Sequence, residues 1–124
     1  MLDASALIAW LRDEPGADVV QRALDAGSVI SAVNLAEVLT RFHDIGVAGT
    51  EVLGDLQLAG VTTLSYGEDD AQQTADLRAA TRSGGLSLGD RACLALAIRL
   101  GQPALTADRA WAPLNVGAQV ELIR

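Results

Sequence analysis

Four acidic residues stand where a short apolar run gives way to a helix-like pattern, and they are the residues best placed for chemistry. They are Asp3, Glu37, Asp90 and Asp108. The carboxyl ends of parallel strands meet at one edge of a sheet, which is where ligands bind in open α/β folds. Carboxylates that converge at such an edge bind hard divalent cations such as Mg²⁺ or Mn²⁺. We therefore expect these four side chains to form a metal site.

Each of these acids also has a purely structural interpretation. Ser87 and Asp90 have the spacing of a helix capping box, and Asn34 and Glu37 have a looser version of it. The other two acids occupy the position of simple N-caps, which stabilise a helix by about 1 kcal/mol. Because N-caps do not need to share one edge of a sheet, the common placement of all four acids favours the metal site.

The composition removes most other catalytic mechanisms. All nine basic residues are arginines, which excludes a P-loop and a Schiff-base lysine. A single histidine, His43, excludes a multi-histidine zinc site, and a single cysteine, Cys93, excludes an internal disulfide. No serine or cysteine nucleophile motif surrounds His43, so a catalytic triad is not expected. Carboxylates that hold divalent cations can hydrolyse phosphodiester bonds without lysine or histidine.

The elements that must position the acids alternate between strand-sized and helix-sized segments. Strand-sized apolar runs are expected at 28–31, 61–64, 103–106 and 120–123. Helical spacing is found in 17–24, 35–42 and 92–98, and Ala71, Ala75 and Ala79 indicate a helix with a thin packing face. Glycines are expected where elements stop, namely Gly27, Gly46, Gly60, Gly67, Gly84, Gly85 and Gly101. This alternation predicts a parallel sheet with helices on its faces.

Length and charge describe the chain as a whole. Its 124 residues, half of them hydrophobic, predict one folded domain over 1–124. The formal charge of −7 argues at first against a nucleic-acid partner, although cations bound by the four acids would offset part of it. No segment approaches the roughly 18 apolar residues of a membrane span, and the start of the sequence is not typical of a signal peptide. A cytoplasmic protein with no membrane partner is expected.

Four stretches resemble, in order, the motifs of the PIN domain family. They are Leu2–Ile8, Asn34–Val38, Leu86–Ala92 and Leu105–Trp111. Within the family they look most like VapC-type toxins of bacterial toxin–antitoxin pairs. The run SLGDRACLALA, from Ser87 to Ala97, is the most specific part, and the first Asp has fewer apolar residues before it than is usual in the family.

The resemblance implies an α/β fold, a three-layer α/β/α sandwich with a short central parallel sheet. It implies an endoribonuclease that depends on Mg²⁺ or Mn²⁺. Position by position, it assigns the catalytic and metal-binding roles to Asp3, Glu37, Asp90 and Asp108, with Ser5 and Thr106 supporting the first and last acids. It also implies a homodimer and a cognate antitoxin whose tail covers the acidic groove.

Three arginines lie near these motifs and are candidates for contacts with RNA phosphates: Arg41, Arg91 and Arg109. Their alternative interpretation is a solvated or paired arginine on a helix surface. Two other functions stay open. One is a Mg²⁺-dependent phosphatase of another α/β family, which would need an acid at position 5, where Ser5 stands, and a lysine. The other is a non-catalytic PIN-type module that binds proteins, for which a cluster of acids would have no use.

Overall fold

The centre of the fold is a short parallel sheet. The computed structural model describes all residues from Met1 to Arg124. It contains four three-residue strands: β1 (Val29–Ser31), β2 (Thr62–Leu64), β3 (Ala104–Thr106) and β4 (Val120–Leu122). β1 pairs in parallel with β2, and β3 pairs in parallel with β4. Leu2 bridges the two pairs, because it lies parallel to Ile30 on one side and to Leu105 on the other.

The backbone at Leu2 therefore occupies the middle of the sheet, where it forms two isolated bridges. The Leu2 amide donates to the Val29 carbonyl at 2.9 Å, and the Asp3 amide donates to the Leu105 carbonyl at 2.9 Å. Since all strands are parallel, the residues that follow them meet at one edge. This geometry places Asp3 at the centre of that edge, between the ends of β1 and β3.

Seven α-helices connect and cover the strands. They are α1 (Ala4–Leu11), α2 (Ala17–Asp25), α3 (Ala32–His43), α4 (Gly49–Leu58), α5 (Glu68–Asp76), α6 (Arg78–Thr81) and α7 (Leu88–Leu100), with 3₁₀ turns at Arg82–Gly84 and Arg109–Trp111. Side-chain oxygens cap the helices that begin at the site, since Asp3, Ser31 and Ser87 accept backbone N–H bonds in α1, α3 and α7. Gly101, at φ 61°, ends α7 in the left-handed conformation.

Two buried apolar clusters lie on opposite faces of the sheet. Successive strand residues belong to different clusters: Leu2 and Leu105 to the first, Met1 and Ala104 to the second. The first cluster is built from residues of α1, α2, α3 and α4, whereas the second contains the buried run of α7 and the fully buried Trp111. The three-layer α/β/α arrangement predicted from the sequence is confirmed, and α7 is buried along 92–97 as its apolar run indicated.

One predicted packing face is wrong. Ala71, Ala75 and Ala79 point to solvent, and the buried side chains of this segment include Asp70 and Thr74. The reason lies in α7, which turns two arginines, eight residues apart, toward α5. Arg99 Nε lies 3.1 Å from Asp70 Oδ1, and Arg91 donates to the Thr74 carbonyl at 3.1 Å. Arginines need polar partners, so α5 packs with its polar face.

Smaller differences concern element boundaries. Each strand is one residue shorter than its apolar run, because the first or last residue of the run lies outside the ladder. Gly67 is the N-cap of α5 instead of ending an element, and α4 is a helix that the sequence pattern did not indicate. None of the helices is long and apolar enough to cross a membrane.

Candidate acidic active site

Asp3 is the most deeply placed acid of the candidate site, with only 2% of its surface exposed. Its Oδ2 atom accepts hydrogen bonds from the Ser5 amide at 3.2 Å, the Ser5 hydroxyl at 2.6 Å and the Thr106 hydroxyl at 3.0 Å. Burial raises the pKa of Asp3, and the negative charge of Asp90 adds to that effect. The hydrogen bonds from Ser5 and Thr106 act in the opposite direction, since they favour the ionised form.

The two hydroxyls join Asp3 to the loop after β3. Ser5 Oγ lies 3.1 Å from Thr106 Oγ1 and also accepts a bond from the Ala107 amide at 2.9 Å. The Asp108 amide donates to Thr106 Oγ1 at 3.0 Å. Both hydroxyls predicted to support the first and last acids thus contact Asp3 directly, whereas Asp108 is contacted by Thr106 alone of the two, through its backbone amide.

Asn34 is a residue of the site that the sequence analysis missed. It is fully buried, and its side chain accepts from Ser31 Oγ at 2.6 Å and donates to the Gly89 carbonyl at 3.0 Å. A longer contact of 3.4 Å joins its Nδ2 to Asp3 Oδ1. Its amide therefore connects the end of β1 to Asp3 and to the first turn of α7. The available sequence signal was a polar residue three positions after Ser31, where an apolar stripe begins.

Glu37 lies one turn further along α3, and its side chain forms no hydrogen bond or salt bridge. The suggested capping box between Asn34 and Glu37 is wrong, because α3 begins three residues earlier and its cap is Ser31. A Cβ atom added at Gly89 would lie 2.8 Å from Glu37 Oε2, so the missing side chain lets this carboxylate approach α7. Burial raises the pKa of Glu37, with further contributions from Asp3 and Asp90, while Arg41 lowers it.

Asp90 completes a group of three acids that act on one another. Its Oδ2 accepts from the Ser87 amide at 2.7 Å, and its own amide donates to Ser87 Oγ at 3.2 Å. The capping box predicted here is therefore confirmed. The charge of Asp90 raises the pKa of both Asp3 and Glu37, which places the three carboxylates within electrostatic range of each other.

Asp108 is set apart from this group. It is exposed, and its Oδ1 caps the 3₁₀ turn by accepting from the Ala110 amide at 2.9 Å, while the acids that raise the pKa of Glu37 are Asp3 and Asp90. No three Asp, Glu, His or Cys side chains of the chain are arranged so that they could jointly hold a metal ion. The structure thus brings Asp3, Glu37 and Asp90 within electrostatic range of one another, and it joins the backbone of Asp108 to Asp3 through Thr106 Oγ1.

The capping role and a ligand role do not compete for the same oxygen atoms. Asp90 and Asp108 each use one carboxylate oxygen for a cap and leave the other without a partner. In Asp3, Oδ2 receives the three short bonds, and Oδ1 has only the 3.4 Å contact with Asn34. Glu37 has both oxygens free. Each acid therefore retains an oxygen that could accept a cation or a water molecule.

The three arginines proposed to contact RNA lie in different surroundings. Arg41 is exposed and forms no salt bridge, and it is close enough to Glu37 to lower its pKa. Arg91 is partly buried between α7 and α5, where it donates to the Thr74 carbonyl. Arg109 is exposed on the 3₁₀ turn after Asp108. Of the three, Arg41 is the one whose charge acts on a site acid, because it lowers the pKa of Glu37.

Comparison with known proteins gives this arrangement its family. The family model described as the PIN domain matches residues 1–115. The chain belongs to the PIN domain family. The match includes all four acids and every strand except β4. This membership sets aside the alternative of another α/β family, and no curated protein matches the sequence of this PIN domain.

Solved structures share the fold over almost its whole length. A toxin–antitoxin complex from Klebsiella pneumoniae matches with a TM-score of 0.72 and 20% identity, covering 99% of this chain and 96% of that chain. DNA-bound VapBC from Salmonella typhimurium matches with a TM-score of 0.72 and 18% identity, covering 100% and 97%. VapBC2 from Rickettsia felis, bound to a promoter DNA fragment, matches with a TM-score of 0.73 and 16% identity, covering 98% and 96%.

Proposed function

We propose that this PIN domain is a VapC-type toxin, a cytoplasmic endoribonuclease that uses Mg²⁺ or Mn²⁺ to hydrolyse RNA phosphodiester bonds. The observation that carries the proposal is the group formed by Asp3, Glu37 and Asp90 at the carboxyl edge of the sheet. The fold holds these acids close enough that their negative charges repel one another, which raises the pKa of Asp3 and Glu37. A fold gains nothing from such repulsion unless a cation relieves it.

The residue types present fit a hard divalent cation. The candidate ligands are carboxylates, which Mg²⁺ and Mn²⁺ prefer, and each retains an oxygen without a short hydrogen bond. Burial first, and the charges of neighbouring acids second, raise the pKa of Asp3 and Glu37, and a bound cation would favour the ionised form of both. Because no three of these side chains form a ready ligand set, binding would require them to draw together. Asp3 and Asp90 would hold the principal ion, with Asp108 joining them.

The side chains of this PIN domain would then have different roles in hydrolysis. A bound divalent cation supplies an activated water and neutralises charge that develops at phosphorus. Ser5 and Thr106 fix the orientation of Asp3 by donating to its Oδ2. Glu37, with neither oxygen engaged, can accept a hydrogen bond from the attacking water and orient it, or help to hold a second ion. Arg41, Arg91 and Arg109 are the candidates for contacts with RNA phosphates.

The proposed partners follow from the same acidic group. We propose a cognate antitoxin that inserts an arginine among the acids, since a guanidinium can satisfy carboxylates in place of a metal. In support, all three matched structures named above are toxin–antitoxin or VapBC complexes. We also propose a homodimer, on the basis of the family resemblance.

A second candidate function is a non-catalytic PIN module that acts through protein binding. One observation favours it, namely that no three acidic side chains are arranged to hold a metal ion. The two candidates differ in a measurable way, because a binding module has no need to bind Mn²⁺ or to cleave RNA.

The deciding experiment incubates the pure protein with total RNA and Mn²⁺ and maps the cut sites by sequencing. Asp90→Asn should abolish cleavage with the fold retained, because the capping oxygen remains while the charge is lost. Asp55→Asn is the matched control, since it removes an exposed acid of α4 far from the sheet edge. Full cleavage by Asp90→Asn would refute the site assignment. Absence of both Mn²⁺ binding and cleavage in the unmodified protein would favour the binding module.

A further inference from the structure

A cleft of about 330 Å³ lies beside the acidic site, between the C-terminal halves of α1 and α3. It is lined by Ser5, Ile8, Arg12, Glu14, Arg41, Asp44, Ile45 and Arg124. Three of the nine arginines of the chain are thus collected in one concave surface, although they are far apart in the sequence. Neither Arg12 nor Arg124 belongs to a site motif, so sequence reasoning gave them no role.

The charge of this cleft differs from that of the rest of the molecule. Its side chains comprise three guanidinium groups and two carboxylates, a balance of +1 in a chain with a formal charge of −7. Glu14 is shared by two of the arginines, lying 3.5 Å from Arg12 and 3.1 Å from Arg124. Arg41 forms no salt bridge, so one guanidinium is free for an external anion.

The cleft adjoins the acidic site through Ser5 and Arg41. Ser5, which lines the cleft, donates its hydroxyl to Asp3 at 2.6 Å. Arg41 lies one helical turn from Glu37 on α3 and lowers the pKa of that acid. Ile45, 63% exposed, supplies an apolar surface at the cleft, against which a ribose or base can pack. A chain bound with one phosphate at the acids would therefore meet the arginines next.

We propose that this cleft binds the phosphodiester backbone of single-stranded RNA next to the reacting phosphate, an inference that rests on the proposed ribonuclease function. Guanidinium groups contact phosphates with paired N–H donors, and a positively charged groove is the usual way to follow a single strand. Glu14 then has a specific role, because its carboxylate pairs with Arg12 and Arg124 until RNA phosphates replace it. Removing its charge should strengthen RNA binding, whereas removing any of the three arginines should weaken it.

The salt dependence of binding measures the number of phosphates engaged. For single strands, each neutralised phosphate contributes a slope of about 0.7 in a plot of log affinity against log salt. A fourfold rise in salt therefore weakens binding by about 2.6-fold for each contact. If all three arginines contact phosphates, they account for a slope of about 2, and each single variant should lose about 0.7 of it.

The test measures binding of a fluorescein-labelled single-stranded RNA of mixed sequence by fluorescence anisotropy over a range of salt concentrations. All variants are made in the Asp90→Asn background, and a gel confirms that the RNA stays intact. Arg12→Gln, Arg41→Gln and Arg124→Gln should each weaken binding about threefold and reduce the salt slope. Arg22→Gln is the matched control, because this exposed arginine of α2 also pairs with a carboxylate, Asp18, at 2.9 Å.

Glu14→Gln should have the opposite effect on RNA binding: it should increase the affinity and the salt slope. Asp18→Asn is its control. Cleft variants that behave like Arg22→Gln, or a Glu14→Gln variant that binds no better than Asp18→Asn, would overturn the proposal. So would binding of a fluorescent polyglutamate peptide with the same arginine dependence when RNA does not bind. Failure of the ribonuclease function appears separately, as absence of RNA cleavage by the unmodified protein while the slopes still change.

Discussion

The hydrogen bonds of Asn34 allow the cost of removing it to be worked out group by group. Asn34→Ala leaves the buried Ser31 hydroxyl without its acceptor at 2.6 Å and takes a second donor, at 3.0 Å, from the Gly89 carbonyl, which also accepts within α7. Each buried polar group left unpaired costs about 1–3 kcal/mol. The cap of α3 survives, because the backbone amide of residue 34 still donates to Ser31 Oγ. We expect a loss of about 3 kcal/mol, which lowers the melting temperature by roughly 10 °C in a domain of this size.

Thermal unfolding followed by circular dichroism, with EDTA present, measures this loss. Gln72→Ala is the matched control, since its amide bonds Asp76 at 3.0 Å on the exposed face of α5 and should change stability by less than about 0.5 kcal/mol. If Asn34→Ala melts at no lower temperature than Gln72→Ala, the hydrogen bonds of the buried Asn34 amide do not stabilise the fold.

A second substitution at the same position tests the electrostatic part of the argument. Asn34→Asp keeps the shape but directs a carboxylate oxygen at the Gly89 carbonyl and at Asp3, where a donor stood. Burial and the charge of Asp3 would raise the pKa of the new carboxyl above about 3.9, its ordinary value. The variant should therefore be most stable when the new carboxyl is protonated and less stable as pH rises. Its loss of stability relative to the unmodified protein should be larger at about pH 7 than at about pH 4. An equal loss at both pH values would contradict this reasoning.

Three further predictions follow from the site and its surroundings. The pKa values of Asp3 and Glu37 are raised above their ordinary values of 3.8 and 4.5, so the metal-free protein should lose stability as pH rises through the raised values. Melting curves recorded in EDTA at several pH values check this, and Glu37→Gln should make the melting temperature depend less on pH. Gly89→Ala should leave stability within about 1 kcal/mol but weaken Mn²⁺ binding in calorimetry, since its Cβ would displace the Glu37 carboxylate; unchanged Mn²⁺ affinity would count against that placement. Gly16→Ala should destabilise by about 2 kcal/mol or more in urea unfolding, because φ is +93° and the new Cβ would lie 2.6 Å from the Ile123 carbonyl; a normal urea midpoint would refute it.

The sequence allowed the acids to be placed because local rules and sheet topology agree there. Asp3 and Asp90 each follow a recognisable cap pattern, and parallel strands bring their carboxyl ends to one edge whatever the details of packing. The same rules explain why Asp108 was predicted with them, since it follows β3 as Asp3 follows the bridging residue Leu2. Its Oδ1 caps its own 3₁₀ turn, a local geometry that spacing alone does not reveal.

The remaining features depend on tertiary contacts. The orientation of α5 is decided by Arg91 and Arg99 of α7, so the small alanines of α5 gave a misleading packing face. Asn34 draws its importance from Gly89, 55 residues away along the chain. The arginine cleft joins residues from the two ends and the middle of the sequence, and no periodicity within one helix could have assembled them.

Leu2, the residue that bridges the two halves of the sheet, affects how the site can unfold. β1 and β3 do not pair with each other, and Leu2 is the only residue bridged to both. Asp3 follows it directly, with Asn34 reaching it from one half of the sheet and Thr106 from the other. Any opening that parts the halves therefore breaks the contacts of Asp3 with at least one of them. In hydrogen exchange, the amides of Leu2, Asp3 and Leu105 should open only with global unfolding, as one cooperative unit.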